Sequence, residues 1–200
     1  MAIYATVEQI KSLGFQTDAP ASIDTTVWEL LADAASREFD SLCEVRENFF
    51  QAAEYDDSEP TPLPVYTNRT FFGNGTTILK LEPFIELNPS APVTAEDDFA
   101  YDIPAYIISG DSLLWPRSPI GQWTADFVFT VSAQWGFLMI PADITLAVIK
   151  LALNAWRLSD PVNAEQTESN LEAVIDGLPA SVWPIVEKYR QKYSQRAIFA

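Results

Sequence analysis

The chain has 200 residues, of which 48% are hydrophobic and 12% aromatic, so it can bury one sizeable core and is not a disordered chain. Its 28 acidic and 12 basic residues give a formal net charge of −16 at pH 7, which excludes a protein that grips nucleic acid through its phosphates. With no histidine and a single cysteine, Cys43, the sequence lacks the usual ligands of a zinc site, a disulfide within the chain, and histidine-activated nucleophiles. No basic leader and no apolar run of about 20 residues occurs, so we expect a soluble protein made in a reducing cytoplasm, without a membrane partner.

Two helices are predicted in the N-terminal segment, residues 1–46. Thr6-Val7-Glu8-Gln9 matches a capping box, and Gly14 stands where a helix of two turns would end. Asp24 is the predicted N-cap of a longer helix that reaches about Cys43. Its predicted inner stripe recurs at three- and four-residue spacing, with Glu29, Asp33 and Arg37 between its members: Val27, Trp28, Leu31, Ala34, Ala35, Glu38, Phe39 and Leu42.

Residues 47–64 break this periodicity. The segment contains three prolines and four closely spaced acidic side chains, Glu54, Asp56, Asp57 and Glu59. Prolines and like charges do not build a packed core, so we predict an exposed, solvated acidic loop.

A strand-rich insertion is predicted over residues 65–136. Two β-rich runs, 65–71 and 76–81, flank Gly73-Asn74-Gly75, where glycine and asparagine tolerate positive φ, so we predict a β-hairpin. Further short strands are predicted near Ile85–Leu87, Tyr101–Ile108 and Ser112–Leu114. The clearest strand runs from Trp123 to Trp135 and stops at Gly136.

The C-terminal helices are predicted within residues 137–193. Pro141 opens a helix that ends at Ser159-Asp160-Pro161, with an apolar stripe made of Ile144, Ala147, Val148, Leu151, Ala152, Ala155 and Trp156. A polar link leads to Gly177, and a last helix begins near Trp183 because Pro184 is tolerated only in a first turn. Its predicted inner face holds Val182, Ile185, Val186 and Tyr189. We therefore predict an α+β fold in which helices from both chain ends form a bundle and the strand-rich insertion projects from it or caps it.

Carboxylates are the only plentiful reactive groups. An enzyme would therefore use a pair of them, as a glycosidase does, and the candidates are Asp97, Asp98, Asp126 and Asp143. Glu96-Asp97-Asp98 offers hard oxygen ligands for Ca²⁺, but the spacing of an EF-hand loop is absent. Because most acidic residues of such a chain are solvated surface groups, we expect no catalytic residue, no metal site and no cofactor.

Charge is distributed unevenly along the chain. The first 187 residues hold all 28 acidic and eight of the 12 basic residues, a net charge of −20, whereas the last 13 hold the other four basic residues. Cations suit the C-terminal end of a helix dipole, which accounts for Lys188 to Lys192. The tail, residues 194–200, continues with Arg196 and the apolar pair Ile198 and Phe199, so either it frays or it enters a partner's groove.

The order of these elements, together with several phrases, resembles the head-tail adaptor (connector) proteins of tailed bacteriophages and gene-transfer particles. The phrases are spread over most of the chain and comprise residues 5–11, 30–39, 70–75, 131–137, 140–144, 177–179 and 188–190. The acidic loop and the polar link over residues 160–177 depart from the family pattern.

The resemblance implies a structural virion protein without catalytic residues, located at the head-tail junction. Such proteins form a ring, usually of twelve subunits, between the portal protein and a stopper or tail protein, and DNA passes through without specific binding. An acidic lumen suits that passage. By resemblance the C-terminal segment grips the portal, and its predicted portal-binding residues are Lys188, Arg190, Lys192, Tyr193, Arg196, Ile198 and Phe199. If residues 188–200 enter a portal groove, we expect them to be loosely held before docking, because ordering them costs conformational entropy that only the partner contact offsets.

Two alternatives stay open at this point. The first is another tail-completion or minor virion subunit with the same order of helices and strands. The second is a carboxylate-dependent hydrolase. That alternative requires a pair of carboxylates in a concave pocket, one of them with a raised pKa.

Overall fold

A computed structural model describes residues 4–14, 24–56, 58, 61–90, 92–95, 101–102, 106–109, 112–114, 122–125, 127–159, 174–175 and 178–193. Over these ranges the protein is a mixed α+β chain with four helices and several antiparallel sheets. It divides into two compact units. Unit 1 comprises Met1–Gln51 and Ile140–Ala200, and unit 2 comprises Ala52–Met139.

Unit 1 contains the four helices: α1 (Val7–Gly14), α2 (Thr25–Leu42), α3 (Ala142–Ser159) and α4 (Trp183–Tyr193). The predicted capping box is confirmed, because Gln9 N donates to Thr6 Oγ1 at 3.2 Å and Thr6 N donates to Gln9 Oε1 at 2.8 Å. The predicted cap of α2 is confirmed as well, since Asp24 accepts a hydrogen bond from Thr26 N at 3.0 Å. None of the four helices combines the length and apolar character needed to cross a bilayer.

The helices of unit 1 pack on one another around α3. α3 contacts α1, α2 and α4, and α2 also contacts α1 and α4. The rings of Trp28 on α2 and Trp156 on α3 lie 5.0 Å apart. A short antiparallel pair, β11 (Val174–Ile175) and β12 (Leu178–Pro179), precedes α4 in the same unit.

The predicted inner stripe of α2 is wrong in part. Trp28, Ala35 and Phe39 are buried, but Val27 and Ala34 are exposed, as is Glu38, while Asp33, Ser36 and Asp40 are buried instead. Each of these three polar side chains has a hydrogen-bond partner, which offsets the cost of removing it from water. Periodicity of apolar residues cannot reveal such a face, because half of it is polar.

Unit 2 contains ten strands in the described ranges: β1 (Tyr55–Asp56), β2 (Leu63–Pro64), β3 (Thr67–Phe72), β4 (Ile78–Lys80), β5 (Phe84–Leu87), β6 (Val93–Ala95), β7 (Tyr101–Asp102), β8 (Tyr106–Ser109), β9 (Ser112–Leu114) and β10 (Val128–Trp135). β10 is the centre of a five-stranded sheet, with β3 on one side, β5 and β6 on the other, and β7 beyond β6. β4, β9 and β8 form a second sheet, and β1 pairs with β2. All of these pairings are antiparallel.

The predicted hairpin around Gly73-Asn74-Gly75 is wrong. β3 pairs with β10, and β4 pairs with β9 in the other sheet. The loop instead bonds to the chain just before β10: Gly73 N donates to Phe127 O at 2.8 Å, and Gly75 N donates to Trp123 O at 2.7 Å. A Cβ on Gly73 would lie 1.9 Å from Thr124 O, and Gly75 has φ +72°. Gly73 thus permits a close backbone approach, and Gly75 permits a left-handed conformation. A hairpin turn would use the same residues, so the sequence does not distinguish the two structures.

The long predicted strand is also shorter than expected. β10 begins at Val128, because the preceding residues bond to the glycine loop rather than to a neighbouring strand. It ends before Gly136, as predicted, where φ is +113°. The core of unit 2 lies around β10 and comprises Leu79, Leu81, Phe84, Val93, Trp123, Phe129, Val131, Ala133 and Trp135.

Candidate functional site

The basic end of α4 holds the first of the predicted partner-binding residues. Lys188 Nζ lies 2.7 Å from Asp143 Oδ2, and the Tyr189 hydroxyl donates to Asp143 Oδ1 at 2.9 Å. Burial alone would raise the pKa of Asp143, but the hydrogen bonds from Lys188 and Tyr189 and the charge of Lys188 hold it below the usual range. Asp143 therefore fastens α4 to the start of α3, and an ionised carboxylate in this position does not act as a proton donor.

The other cations of α4 also have intramolecular contacts. Arg190 forms an ion pair with Glu187, with Nη2 2.5 Å from Oε2. Lys192 Nζ lies 4.6 Å from the centre of the Tyr193 ring. A partner would therefore have to compete with these contacts, and the charge of α4 available to it is smaller than its sequence indicates.

Tyr193 lies in the core of unit 1 rather than on its surface. Its side chain is 8% exposed, and its ring centre lies 5.2 Å from that of Phe49 and 6.0 Å from that of Phe50. Residues 188–193 form the last part of α4, within the predicted C-terminal helical segment. Arg196, Ile198 and Phe199 lie outside the described residues.

An aromatic cluster fixes α4 in place. Phe50, which is fully buried, lies 5.5 Å from Phe39 and 5.2 Å from Tyr189, measured between ring centres. The cluster therefore joins α2, the segment that follows it, and α4. A chain that continues beyond Tyr193 starts from a well-anchored point.

A buried polar cluster at Asp40 orients that segment, and sequence reasoning missed it. The Tyr4 hydroxyl donates toward both carboxylate oxygens of Asp40, at 2.9 and 2.8 Å, and accepts a hydrogen bond from Phe50 N at 3.0 Å. Asn48 N donates to Asp40 Oδ2 at 2.7 Å, and Asn48 itself has φ 59°. Burial raises the pKa of Asp40 to about 6 against the opposing effect of these hydrogen bonds. No local pattern signals a pairing between residues 36 positions apart.

The predicted exposed loop over residues 47–64 is wrong in part, because its beginning is buried and two short strands form further along it. Phe49 and Phe50 are buried in unit 1, and β1 pairs with β2 across the segment. Glu54 and Asp56 are exposed, and Asp56 Oδ1 accepts a hydrogen bond from Ser58 N at 2.9 Å, which lowers its pKa. Asp57 and Glu59 lie outside the described residues. We call residues 54–56 and 61–64, which include the paired strands β1 and β2, the acidic hairpin.

The base of the acidic hairpin is fixed to the end of β10. Gln134, 1% exposed, donates through Nε2 to Glu54 O at 2.8 Å, and Val65 N donates to the same carbonyl at 3.2 Å. Ala53 N donates to Phe137 O at 2.8 Å, where the chain leaves the sheet. The two residues that follow Phe137 are Leu138 and Met139, and both are large hydrophobic side chains that are mostly exposed, at 70% and 79%.

The carboxylates considered for catalysis are not brought together by the residues that the structure describes. Asp143 belongs to the α4 anchor, and Asp97, Asp98 and Asp126 lie outside those residues, as does Glu96. No three potential ligands within the described ranges form a group that could hold a metal ion.

No protein-family model matches the chain, and no curated protein matches it either, so its function has to be inferred from its own residues and contacts.

Proposed function

We propose that the chain is a structural virion protein: one subunit of a head-tail adaptor ring that docks beneath a portal, joins a stopper or tail protein, and leaves a channel for DNA. The observation that carries this proposal is the division of charge along the chain. An acidic body of −20 precedes a basic and apolar end, which begins within the anchored helix α4 and continues past it.

The proposed architecture is a helical bundle built from both chain ends, with a strand-rich insertion between them. The packing of α3 against α1, α2 and α4 supports the bundle, and the strands between residues 52 and 139 support the insertion. This arrangement keeps the beginning of the chain and its last helix in the same unit. A partner that binds the C-terminal end would therefore be attached to the whole helical bundle through α4.

The acidic body suits a channel subunit. DNA that slides through a ring must not be held, and carboxylates repel its phosphates while offering them no hydrogen-bond donors. The twelve copies that the resemblance implies would multiply this repulsion. Protein partners, by contrast, can be held by local patches on such a body.

The portal contact in this proposal is made by the end of the chain. α4 is anchored by Asp143 and by the aromatic cluster, so residues 194–200 follow a fixed point. Phe199 and Ile198 supply apolar anchors for a groove, and Arg196 supplies a charge that steers the encounter. Lys192, exposed on α4, adds to that charge, whereas Lys188 adds less because it is paired with Asp143.

A capture experiment with purified portal protein tests this proposal. Deleting residues 196–200 should abolish portal capture at equal folded concentration, because the anchors are removed and the packing of α4 is not. Lys192→Glu should weaken capture about tenfold at low salt. The matched control is Lys80→Glu, the same charge reversal at an exposed residue of unit 2, which should leave capture unchanged.

Equal capture by the full-length and truncated chains would show that the tail does not bind the portal. Binding to a tail protein without any binding to the portal would favour the alternative of a tail-completion or minor virion subunit.

A further inference from the structure

We propose that unit 2 carries a second docking surface, formed by the acidic hairpin and the Leu138–Met139 pair, which takes a protein presenting an apolar pocket bordered by Lys and Arg. This inference rests on the proposed function and assigns to the adaptor the surface that binds its tail-side partner, the stopper. The residues of this surface are separate from those that face the portal.

Geometry places the two parts of the surface side by side. Ala52 and Phe137 form a parallel bridge, and Ala53 N donates to Phe137 O at 2.8 Å. The chain then continues as the acidic hairpin from Glu54 and as Leu138–Met139 from Phe137. The bond from Gln134 Nε2 to Glu54 O ties this base to β10, so the surface is held before any partner arrives.

Apolar side chains on this surface point to a protein as its occupant. Leu138 and Met139 are 70% and 79% exposed, and the hairpin adds Tyr55 at 40% and Leu63 at 50%. Large apolar side chains concentrated in one region mark protein contacts, where a few buried anchors carry most of the binding energy. An ion or a small polar ligand would gain nothing from them.

Charge decides what kind of protein fits. The described residues of the acidic hairpin include Glu54 and Asp56 and no basic residue, so its field attracts cations and repels nucleic acid. A second copy of this chain is a poor occupant, because its net charge is −16 and the cations Lys188 and Arg190 are already paired with acids. The partner is therefore a different protein, basic at its contact surface.

Two variants of the full-length chain test the apolar anchors, Leu138 and Met139, and the carboxylates of the acidic hairpin separately. Leu138→Ser with Met139→Ser removes the apolar anchors and should weaken binding of the recombinant stopper protein of the same particle about 30-fold. Glu54→Lys with Asp56→Lys reverses two charges of the acidic hairpin and should slow association with the stopper strongly at low salt and less at high salt. Both changes lie at exposed side chains, so thermal unfolding should be unchanged.

Each variant has a matched control in unit 1. Leu158→Ser changes another exposed apolar residue, 75% accessible on α3, and Glu8→Lys with Glu29→Lys makes the same change of net charge at exposed positions. Both controls should bind the stopper like the unchanged chain. The unit 2 variants should still bind the portal with unchanged affinity.

Stopper binding that survives both unit 2 variants, or that falls equally in the controls, overturns the second surface and leaves the portal result standing. Portal binding without any stopper binding by the unchanged chain overturns it as well. Failure to bind either protein overturns the proposed function itself.

Discussion

The cores of the two units differ in where they place polar groups. Among the described residues of unit 1, the acidic side chains of Asp33 and Asp40 are buried, and both are held by hydrogen bonds. In the described part of unit 2 the buried polar side chains are the uncharged Ser132 and Gln134, and the tightest packing is at Gly73, where a Cβ would lie 1.9 Å from the backbone oxygen of Thr124. Unit 1 is thus sensitive to the ionisation of a buried group, whereas unit 2 is sensitive to added volume. This contrast yields four predictions.

Phe50→Ala should cause the largest loss of stability. Phe50 is fully buried, and its ring meets those of Phe39, Phe49 and Tyr189, so truncation leaves a cavity among residues that cannot all close in. We expect unit 1 to lose about 4 kcal/mol, measured by urea unfolding. Phe50→Leu should lose less than half as much, and equal losses for the two variants would contradict this account of the packing.

Gly73→Ala should destabilise unit 2 by about 3 kcal/mol. The new Cβ would meet Thr124 O at 1.9 Å and Phe129 Cε2 at 2.8 Å, and a backbone carbonyl cannot rotate away as a flexible side chain could. Gly75→Ala is the matched control, because its Cβ has room, 3.7 Å from Ala125 Cβ, and meets only the strain of φ +72°. That control should lose about 1 kcal/mol, and a larger loss there than at Gly73 would refute the close approach.

Tyr4→Phe should destabilise unit 1 by about 2 kcal/mol. The substitution keeps the ring and removes the hydroxyl that donates to Asp40 and accepts from Phe50 N. Amide exchange at Asn48 and Phe50 should become faster while exchange in α1 is little changed. Unchanged exchange at these two amides would show that the cluster does not orient the segment.

The fourth prediction is a dependence of the stability of unit 1 on pH. The folded pKa of Asp40, about 6, is above its ordinary value of about 3.9, so the folded chain holds a proton that the unfolded chain releases. The free energy of unfolding should therefore fall as the pH rises from about 4 to about 6 and level off above that.

Asp40→Asn should remove most of this slope. Glu38 is an exposed residue whose carboxyl is desolvated enough to raise its pKa, so it adds to the slope, whereas Asp143, whose pKa is lowered, opposes it. The relevant quantity is the slope rather than the absolute stability, which the substitution also alters. A slope that is unchanged in Asp40→Asn would assign the proton to another group.

Helices were predictable here because their signals are local. The capping box at Thr6, the cap at Asp24 and the proline of α4 each act within one turn, and all three elements begin where the sequence indicates. Strand partners were not predictable. β3 pairs with a strand some 60 residues away, and the sequence of β3 contains no local signal that identifies this partner. The same Gly-Asn-Gly pattern serves a hairpin or a close approach equally well.

The candidate sites divide in a similar way. The exposure of Glu54 and Asp56 was predictable, because charged side chains are usually solvated and the charge is read directly from the sequence. The burial of Tyr193 and the exposure of Leu138 and Met139 depend on which surfaces meet. Hydrophobicity alone would place Leu138 and Met139 in the core. Pairing of Lys188 with Asp143 across 45 positions likewise needs the fold.

The central claim, that this chain is an adaptor subunit, is tested most directly by measuring the mass of purified portal protein during titration with the chain by light scattering. The account predicts that the mass rises to a plateau at a fixed number of chains per portal, and that the chain lacking residues 196–200 adds no mass. An absence of any increase, or a rise that is the same for the truncated chain, would contradict it.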